Sequence, residues 1–176
     1  MIKLKLITGL SLAILAFVIL TTNKMARVED DLYLEGVDSI AIVNSAPSIQ
    51  MYFYIKKYAA EFEIPEAYAF AIAYRETRYQ GPLDLTYNHK QTSYTGALGP
   101  MQIMPETAKL IIGNPIPNSK LKNDIKLNVM ISMKLLRRLH DIYGSWGVAF
   151  GAYNTGSPCI NGYAHDILDK KYIWEM

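Results

Sequence analysis

Glu76 is a candidate for proton transfer, because it lies between an apolar segment and a polar segment of the sequence. Residues 67–74 consist mainly of Ala, Tyr, Phe and Ile and are apolar on every side, which predicts a helix buried all round. A carboxyl group at the inner end of such a helix is partly desolvated, which raises its pKa towards the range of a general acid. The alternative for Glu76 is a helix-end carboxylate paired with Arg75 or Arg78.

A second group of residues could form a bed for a sugar. Gly96 and Gly99 permit a backbone turn and the close approach of a ligand, which bulkier residues would block. Gln102 supplies an amide donor and acceptor suited to hydroxyl and acetamido groups. Met101 and Met104 offer adaptable apolar surface to a ligand or, as the alternative, pack into the core.

A general acid that protonates a leaving group often works with a second carboxylate, and the sequence offers no convincing second one beside Glu76. Asp84 lies in a long loop over residues 80–100 and could approach Glu76. An aspartate in a loop more often forms an Asx turn with its own backbone, which is the other interpretation of Asp84.

The composition argues against several other classes of function. The formal charge of +2 contains no block of like charge, so nucleic acid is not an indicated partner. Cys159 is the single cysteine and is interpreted as a small half-buried hydrophobe. The three histidines, His89, His140 and His165, lie far apart in the sequence, so these residues predict neither a disulfide framework nor a metal site.

Helices must position these residues, because apolar side chains recur at helical spacing through most of the chain. About six helices with little strand predict an all-α, or at least α-dominated, domain. A strand or hairpin within the loop over residues 80–100 is an open alternative. The predicted helices begin and end near residues 49–62 with Ser48 as the cap, 65–78, 105–113, 125–143 directly after Asp124, 146–153 and 160–174.

The N-terminal residues differ from the rest of the chain. Residues 1–24 contain an apolar run of roughly 15 to 17 residues between basic flanks, which predicts a signal-anchor or transmembrane segment, or a cleaved signal peptide. Residues 25–47 are predicted as a spacer, and residues 48–176 as one domain. The domain is therefore expected outside the cytoplasm, at the cell envelope.

Three segments in this order resemble the lytic transglycosylase family, whose fold is related to goose-type lysozyme. The first is Glu76 with Thr77, where the family has its catalytic Glu followed by Ser. The second, residues 93–108 with the sequence SYTGALGPMQIMPETA, resembles the family's Ser-x-x-Gly-Ala-x-Gly-Leu-Met-Gln-x-Met-Pro-x-Thr-Ala, with Pro100 at the usual Leu. The third is Asn128 followed by AYNTG at residues 152–156, which is similar to Ala-Tyr-Asn-Ala-Gly.

The resemblance implies a lysozyme-like helical domain and a role for each matched residue. Ser93 would donate a hydrogen bond to Glu76, Tyr153 would direct its hydroxyl at the glutamate, and Asn154 would contact the sugar. The alternatives for Tyr153 and Asn154 are core packing and a helix C-cap. Together with Gly99, Met101 and Gln102, these residues are the predicted substrate contacts.

The resemblance also implies an activity on peptidoglycan without any cofactor. Glu76 would protonate the oxygen between N-acetylmuramic acid and N-acetylglucosamine and then remove the proton of the muramyl C6 hydroxyl, which gives a 1,6-anhydro product. The alternatives are a hydrolytic muramidase on the same fold and a non-catalytic glycan-binding component of a secretion system or phage particle. In the phage case, the N-terminal segment would lie in the membrane of a virion, among virion components.

Overall fold

The computed structural model describes residues 40–169, and helices dominate them. The predicted all-α class is confirmed for this part of the chain, where only isolated bridges, Thr92 with Leu98 and Leu98 with Ile103, interrupt helix and loop. Among the described residues, those from Ile42 onward form one compact unit. The eight helices are α1 (Ile40–Val43), α2 (Pro47–Glu61), α3 (Glu66–Thr77), α4 (Pro105–Ile112), α5 (Asn118–Asn123), α6 (Ile125–Tyr143), α7 (Trp146–Thr155) and α8 (Gly162–Leu168).

All six predicted helices are present, and the two others are short. Helix α1 lies within the predicted spacer, and α5 is a short, mostly polar helix that directly follows Pro117 and carries no apolar period. The predicted segment 1–24 and the end of the last predicted helix lie outside the described residues. Within residues 40–169, every helix is too short or too polar to cross a bilayer.

The residues at the starts of the two longest helices have different roles. Asp124 directly precedes α6, as predicted, and caps it, since its carboxylate accepts a hydrogen bond from the backbone N–H of Leu127 at 2.9 Å. The prediction that Ser48 caps the first long helix was wrong. Helix α2 begins earlier, at Pro47, because proline is well suited to a first helical turn. Ser48 is therefore inside α2, where it is buried and its hydroxyl donates to the carbonyl of Pro82.

Helix α6 is the central helix of the domain, and the middle of α3 is buried in the core. Helix α6 contacts α2, α4, α5 and α7, while α3 packs against α2 and α8. Residues 69–73 of α3 are all buried, as their apolar composition predicted. Glu76 therefore lies at the inner end of a desolvated helix, at the point where the chain turns into the loop.

Asn128 of α6 joins three separate parts of the backbone. Its side chain is fully buried, and its Oδ1 accepts a hydrogen bond from the N–H of Met101 at 2.9 Å. Its Nδ2 donates to the carbonyls of Leu98 and Leu121, at 2.9 and 3.0 Å. One amide thus pairs three backbone groups that would otherwise be buried without partners.

Replacing Asn128 by alanine is expected to lower the free energy of unfolding by about 3 kcal/mol, because three buried backbone groups lose their partner together. Urea denaturation measures this loss. Lys134→Ala, at an exposed position of the same helix, is the control and is expected to change stability by less than about 0.5 kcal/mol. Equal stability of the two variants would contradict the assigned role of Asn128.

Candidate active site

The end of α3 is tied to the glycine-containing turn through Thr77. The buried Thr77 hydroxyl donates to the carbonyl of Pro100 at 2.8 Å and lies 2.7 Å from the hydroxyl of Tyr87. A threonine hydroxyl has one proton to donate, so Tyr87 donates to Thr77 in this pair. Arg78 then ends the helix in the left-handed conformation, with φ of 59°. Glu76 is therefore fixed in the backbone relative to the turn at residues 96–102.

Glu76 is partly buried and accepts a hydrogen bond from the hydroxyl of Tyr163, with 2.5 Å between that oxygen and Oε1. Desolvation raises the pKa of Glu76 to about 7, against the opposing effects of the Tyr163 hydrogen bond and the positive charge of Arg75. A carboxyl group with this pKa is present in both protonation states near neutral pH. It can therefore both donate and accept a proton under one condition.

Tyr163 was missed by the sequence interpretation. It lies on α8, 87 residues after Glu76, and is buried. Burial, followed by the charge of Glu76, raises the pKa of the Tyr163 hydroxyl well above its ordinary value. The hydroxyl therefore stays protonated and donates a hydrogen bond to the carboxylate. A tyrosine in the last predicted helix gave no local signal that distinguishes such a donor from a core residue.

Tyr153 lies close to Glu76 but has other hydrogen-bond partners. Its hydroxyl donates to the carbonyl of Met101 at 2.8 Å and lies 2.8 Å from the hydroxyl of Ser132. Desolvation, followed by the charge of Glu76, raises the pKa of Tyr153 well above its ordinary value. The hydroxyl predicted to point at the glutamate is therefore supplied by Tyr163, while Tyr153 supports the turn beneath it.

Ser93 also has partners other than the predicted one. Its hydroxyl accepts a hydrogen bond from the N–H of Ala97 at 2.9 Å and lies 3.0 Å from the hydroxyl of Thr95. The predicted Ser93–Glu76 hydrogen bond is not formed in this structure. Ser93 closes a small hairpin over residues 92–98, an arrangement that the sequence left open for this loop.

Gly99 and Met101 are buried, which corrects their predicted contact with a ligand. At Gly99, with φ of 76°, a Cβ atom would lie 2.6 Å from Nδ2 of Asn128 and 2.9 Å from the carbonyl oxygen of Leu121. The close approach that requires glycine is therefore between two parts of this chain. The side chain of Met101 is 0% exposed and belongs to the core, so it offers no surface to a sugar.

Gln102 and Asn154 retain some exposure, as predicted ligand contacts require. Gln102 has the strained φ of 51°, and its Nε2 donates to the carbonyl of Gly99 at 2.8 Å. Asn154 is exposed on α7 and its Oδ1 accepts from the amide of Asn161 at 3.1 Å. It is not the C-cap of α7, a position held by Gly156.

Carboxylates other than Glu76 in this region are engaged in contacts of their own. Asp84 forms the Asx turn, because its Oδ1 accepts from the N–H and the hydroxyl of Thr86, at 3.2 and 2.7 Å. Asp166 pairs with Arg75 at 3.2 Å. Between residues 40 and 169, no three His, Cys, Asp or Glu side chains come together as metal ligands.

The fold and the site define a helical domain in which a single glutamate can move protons. The model of the family described as the transglycosylase SLT domain matches residues 53–171, about two thirds of the chain. The chain therefore belongs to this family, and its described domain is a transglycosylase SLT domain.

A solved structure gives a second comparison. It is the complex of the 70-kDa soluble lytic transglycosylase with bulgecin A, at 29% identity and a TM-score of 0.49 over 66% of this chain. The matched region spans 18% of that protein, so the chain corresponds to a small part of its length.

The two tyrosines near Glu76 provide a matched pair of variants. Tyr163→Phe removes the donor of the Glu76 carboxylate, so the pKa of Glu76 is expected to rise above its value of about 7. Tyr153→Phe is expected to leave that pKa near its wild-type value and to lower stability by about 1 kcal/mol through the lost bond to Met101. Carbon-detected NMR titration of the Glu76 carboxyl measures both. A larger rise in Tyr153→Phe than in Tyr163→Phe would contradict this assignment.

The burial of Glu76 also predicts a pH-dependent cost in stability. The pKa of the folded state, about 7, exceeds the ordinary value of 4.5, so the protonated form favours folding and this contribution is lost as pH rises from 4.5 through 7. Glu76→Gln is expected to be more stable than the wild type by about 1–3 kcal/mol at pH 8, and nearly equal to it at pH 4. Urea denaturation at both pH values measures this. Glu61→Gln, at an exposed position of α2, should show no such pattern.

Proposed function

We propose that the chain cleaves the β-1,4 bond between N-acetylmuramic acid and N-acetylglucosamine in peptidoglycan, with formation of 1,6-anhydro-N-acetylmuramic acid. The observation that carries the proposal is Glu76, a partly buried carboxyl group with a pKa of about 7 at the edge of a rigid turn. Family membership supports the class of reaction, and the chemistry of Glu76 supports the individual steps.

In the first step, protonated Glu76 donates its proton to the bridging oxygen. The bond between C1 of the muramyl sugar and that oxygen breaks, and N-acetylglucosamine leaves with a hydroxyl group. The acetamido group of the substrate supports the cationic centre at C1. Tyr163 occupies Oε1 of Glu76, which leaves Oε2 as the oxygen for proton transfer.

In the second step, the Glu76 carboxylate removes the proton from the muramyl C6 hydroxyl. The C6 oxygen bonds to C1, and Glu76 is protonated again, so no water is consumed and the residue is ready for another cycle. A pKa near neutral suits this double role, because a strong acid would not take the proton back. A water-consuming route generally uses a second carboxylate, whereas Asp84 and Asp166 are engaged by Thr86 and Arg75.

The substrate contacts follow from what remains exposed around the turn. We assign Gln102 and Asn154 to the glycan, since both amides are accessible and can meet hydroxyl and acetamido groups. The membrane tether over residues 1–24, and the location of the domain outside the cytoplasm, belong to the same proposal and are supported by the apolar run and its basic flanks.

Digestion of purified sacculi followed by mass spectrometry tests the reaction. The wild type is expected to release muropeptides that carry an anhydro end, each lighter by one water molecule than the product of hydrolysis. Glu76→Gln retains the shape of the side chain without its titration, and is expected to lower the rate by about 100-fold or more. Glu61→Gln, an exposed position, is the control and should digest at the wild-type rate.

The two other activities give different results in the same experiment. Fragments with reducing ends would establish a hydrolytic muramidase. A non-catalytic glycan-binding component would release no fragments, and Glu76→Gln would then retain its biological role. Either result would overturn the proposed reaction.

A further inference from the structure

Arg75 makes a second connection between the helices that carry Glu76 and Tyr163. Its Nη1 lies 3.2 Å from Oδ2 of Asp166, and the two side chains are only 28% and 24% exposed. Asp166 is three residues after Tyr163, so both lie on the same face of α8. Two adjacent residues of α3 therefore contact two residues of α8 that are one turn apart.

The guanidinium of Arg75 also lies against the ring of Tyr163. The guanidinium carbon is 5.5 Å from the ring centroid, within the range of a cation–π interaction. The Nε atom of Arg75 is buried without a hydrogen-bond partner among the described residues. The salt bridge with Asp166 and the contact with the Tyr163 ring are therefore the described interactions that offset this unpaired donor.

Among residues 40–169, Arg75 supplies the positive charge that acts on the carboxyl group of Glu76. Tyr163 and Asp166 face this region from α8, Tyr153 lies nearby on α7, and Arg75 and Glu76 belong to α3. Among these groups only Arg75 supplies a positive charge. It therefore stabilises the ionised form of Glu76 against the effect of burial.

We propose that Arg75 and Asp166 form a positioning pair, in which Asp166 holds the guanidinium against Tyr163 and thereby fixes the hydroxyl that donates to Glu76. The pair does not contact the reacting atoms. It acts through Tyr163, by orientation, and through Glu76, by charge. Its effect on turnover rests on the proposed function, whereas its effect on the titration of Glu76 does not.

The test uses Arg75→Gln, Arg75→Lys, Asp166→Asn and the double variant Arg75→Gln/Asp166→Asn in the full chain. Arg137→Gln is the control, because Arg137 pairs with Asp141 on the exposed face of α6, remote in sequence from Glu76. Two measurements are made on each protein. The first is the NMR titration of the Glu76 carboxyl without substrate. The second is kcat and KM on purified sacculi from about pH 5 to about pH 9, a range that brackets the pKa of Glu76.

Arg75→Gln is expected to move the Glu76 titration, and the basic limb of kcat with it, to higher pH. Its kcat should fall roughly tenfold with KM nearly unchanged, since the pair acts on the acid and not on the glycan. Arg75→Lys keeps the charge and should restore the pH limb, while kcat stays low because an ammonium cannot match the fork of a guanidinium. Asp166→Asn should also lower kcat, and the double variant should be no slower than Arg75→Gln alone.

The inference is overturned if the titration and kcat of Arg75→Gln match those of Arg137→Gln, or if the two single effects add fully in the double variant. Failure of the proposed function is a different result. In that case the wild type would release no anhydro fragments, while the NMR titration would still show whether Arg75 and Asp166 control Glu76.

Discussion

The amide of Asn128 is the contact on which the site depends most. It holds the backbone at Leu98, Met101 and Leu121 to one point on the central helix, so the turn has one position in the domain. The orientation of the amide is fixed by its partners, since an N–H faces Oδ1 and two carbonyls face Nδ2. Glycine at position 99 belongs to the same arrangement, because any side chain there would occupy the space of this amide.

The catalytic carboxyl group is placed by a second, shorter set of contacts. Thr77 bonds to the carbonyl of Pro100, which joins the end of α3 to the turn that Asn128 holds. Glu76 is therefore set between a buried helix and a rigid turn before any substrate binds. Burial raises its pKa to about 7, while the hydrogen bond from Tyr163 and the positive charge of Arg75 act in the opposite direction. The balance among burial, one hydrogen bond and one charge makes both the protonated and the ionised form of Glu76 accessible.

The sequence was sufficient for features that depend on local pattern. Residues 69–73 are buried because they are apolar in every direction, and α6 begins directly after Asp124, where a carboxylate can bind the free N–H groups of a helix. Glu76 was identified for the same reason, since a carboxyl group that ends a buried helix is desolvated wherever the helix lies. Short polar α5 escaped prediction because six residues carry no measurable period.

Features that depend on tertiary contacts could not be predicted locally. Ser93, Tyr153 and Tyr163 all carry hydroxyl groups, and only the packing of α7 and α8 decides which of them reaches Glu76. Burial of Met101 likewise depends on the side of the turn that faces α6. At Gly151, a Cβ would lie 1.8 Å from the carbonyl oxygen of Cys159, so α7 and the segment before α8 approach too closely for any side chain. That closeness sets the position of α8.

The separation of Glu76 and Tyr163 along the chain has a consequence for biosynthesis. The ribosome completes the buried helix and the turn long before it reaches α8, so a nascent chain that ends near Tyr153 possesses the acid without its phenolic partner. The hydrogen bond to Glu76 therefore forms only when α8 packs against α3. A fragment cut between α7 and α8 would likewise contain the carboxyl group without this donor.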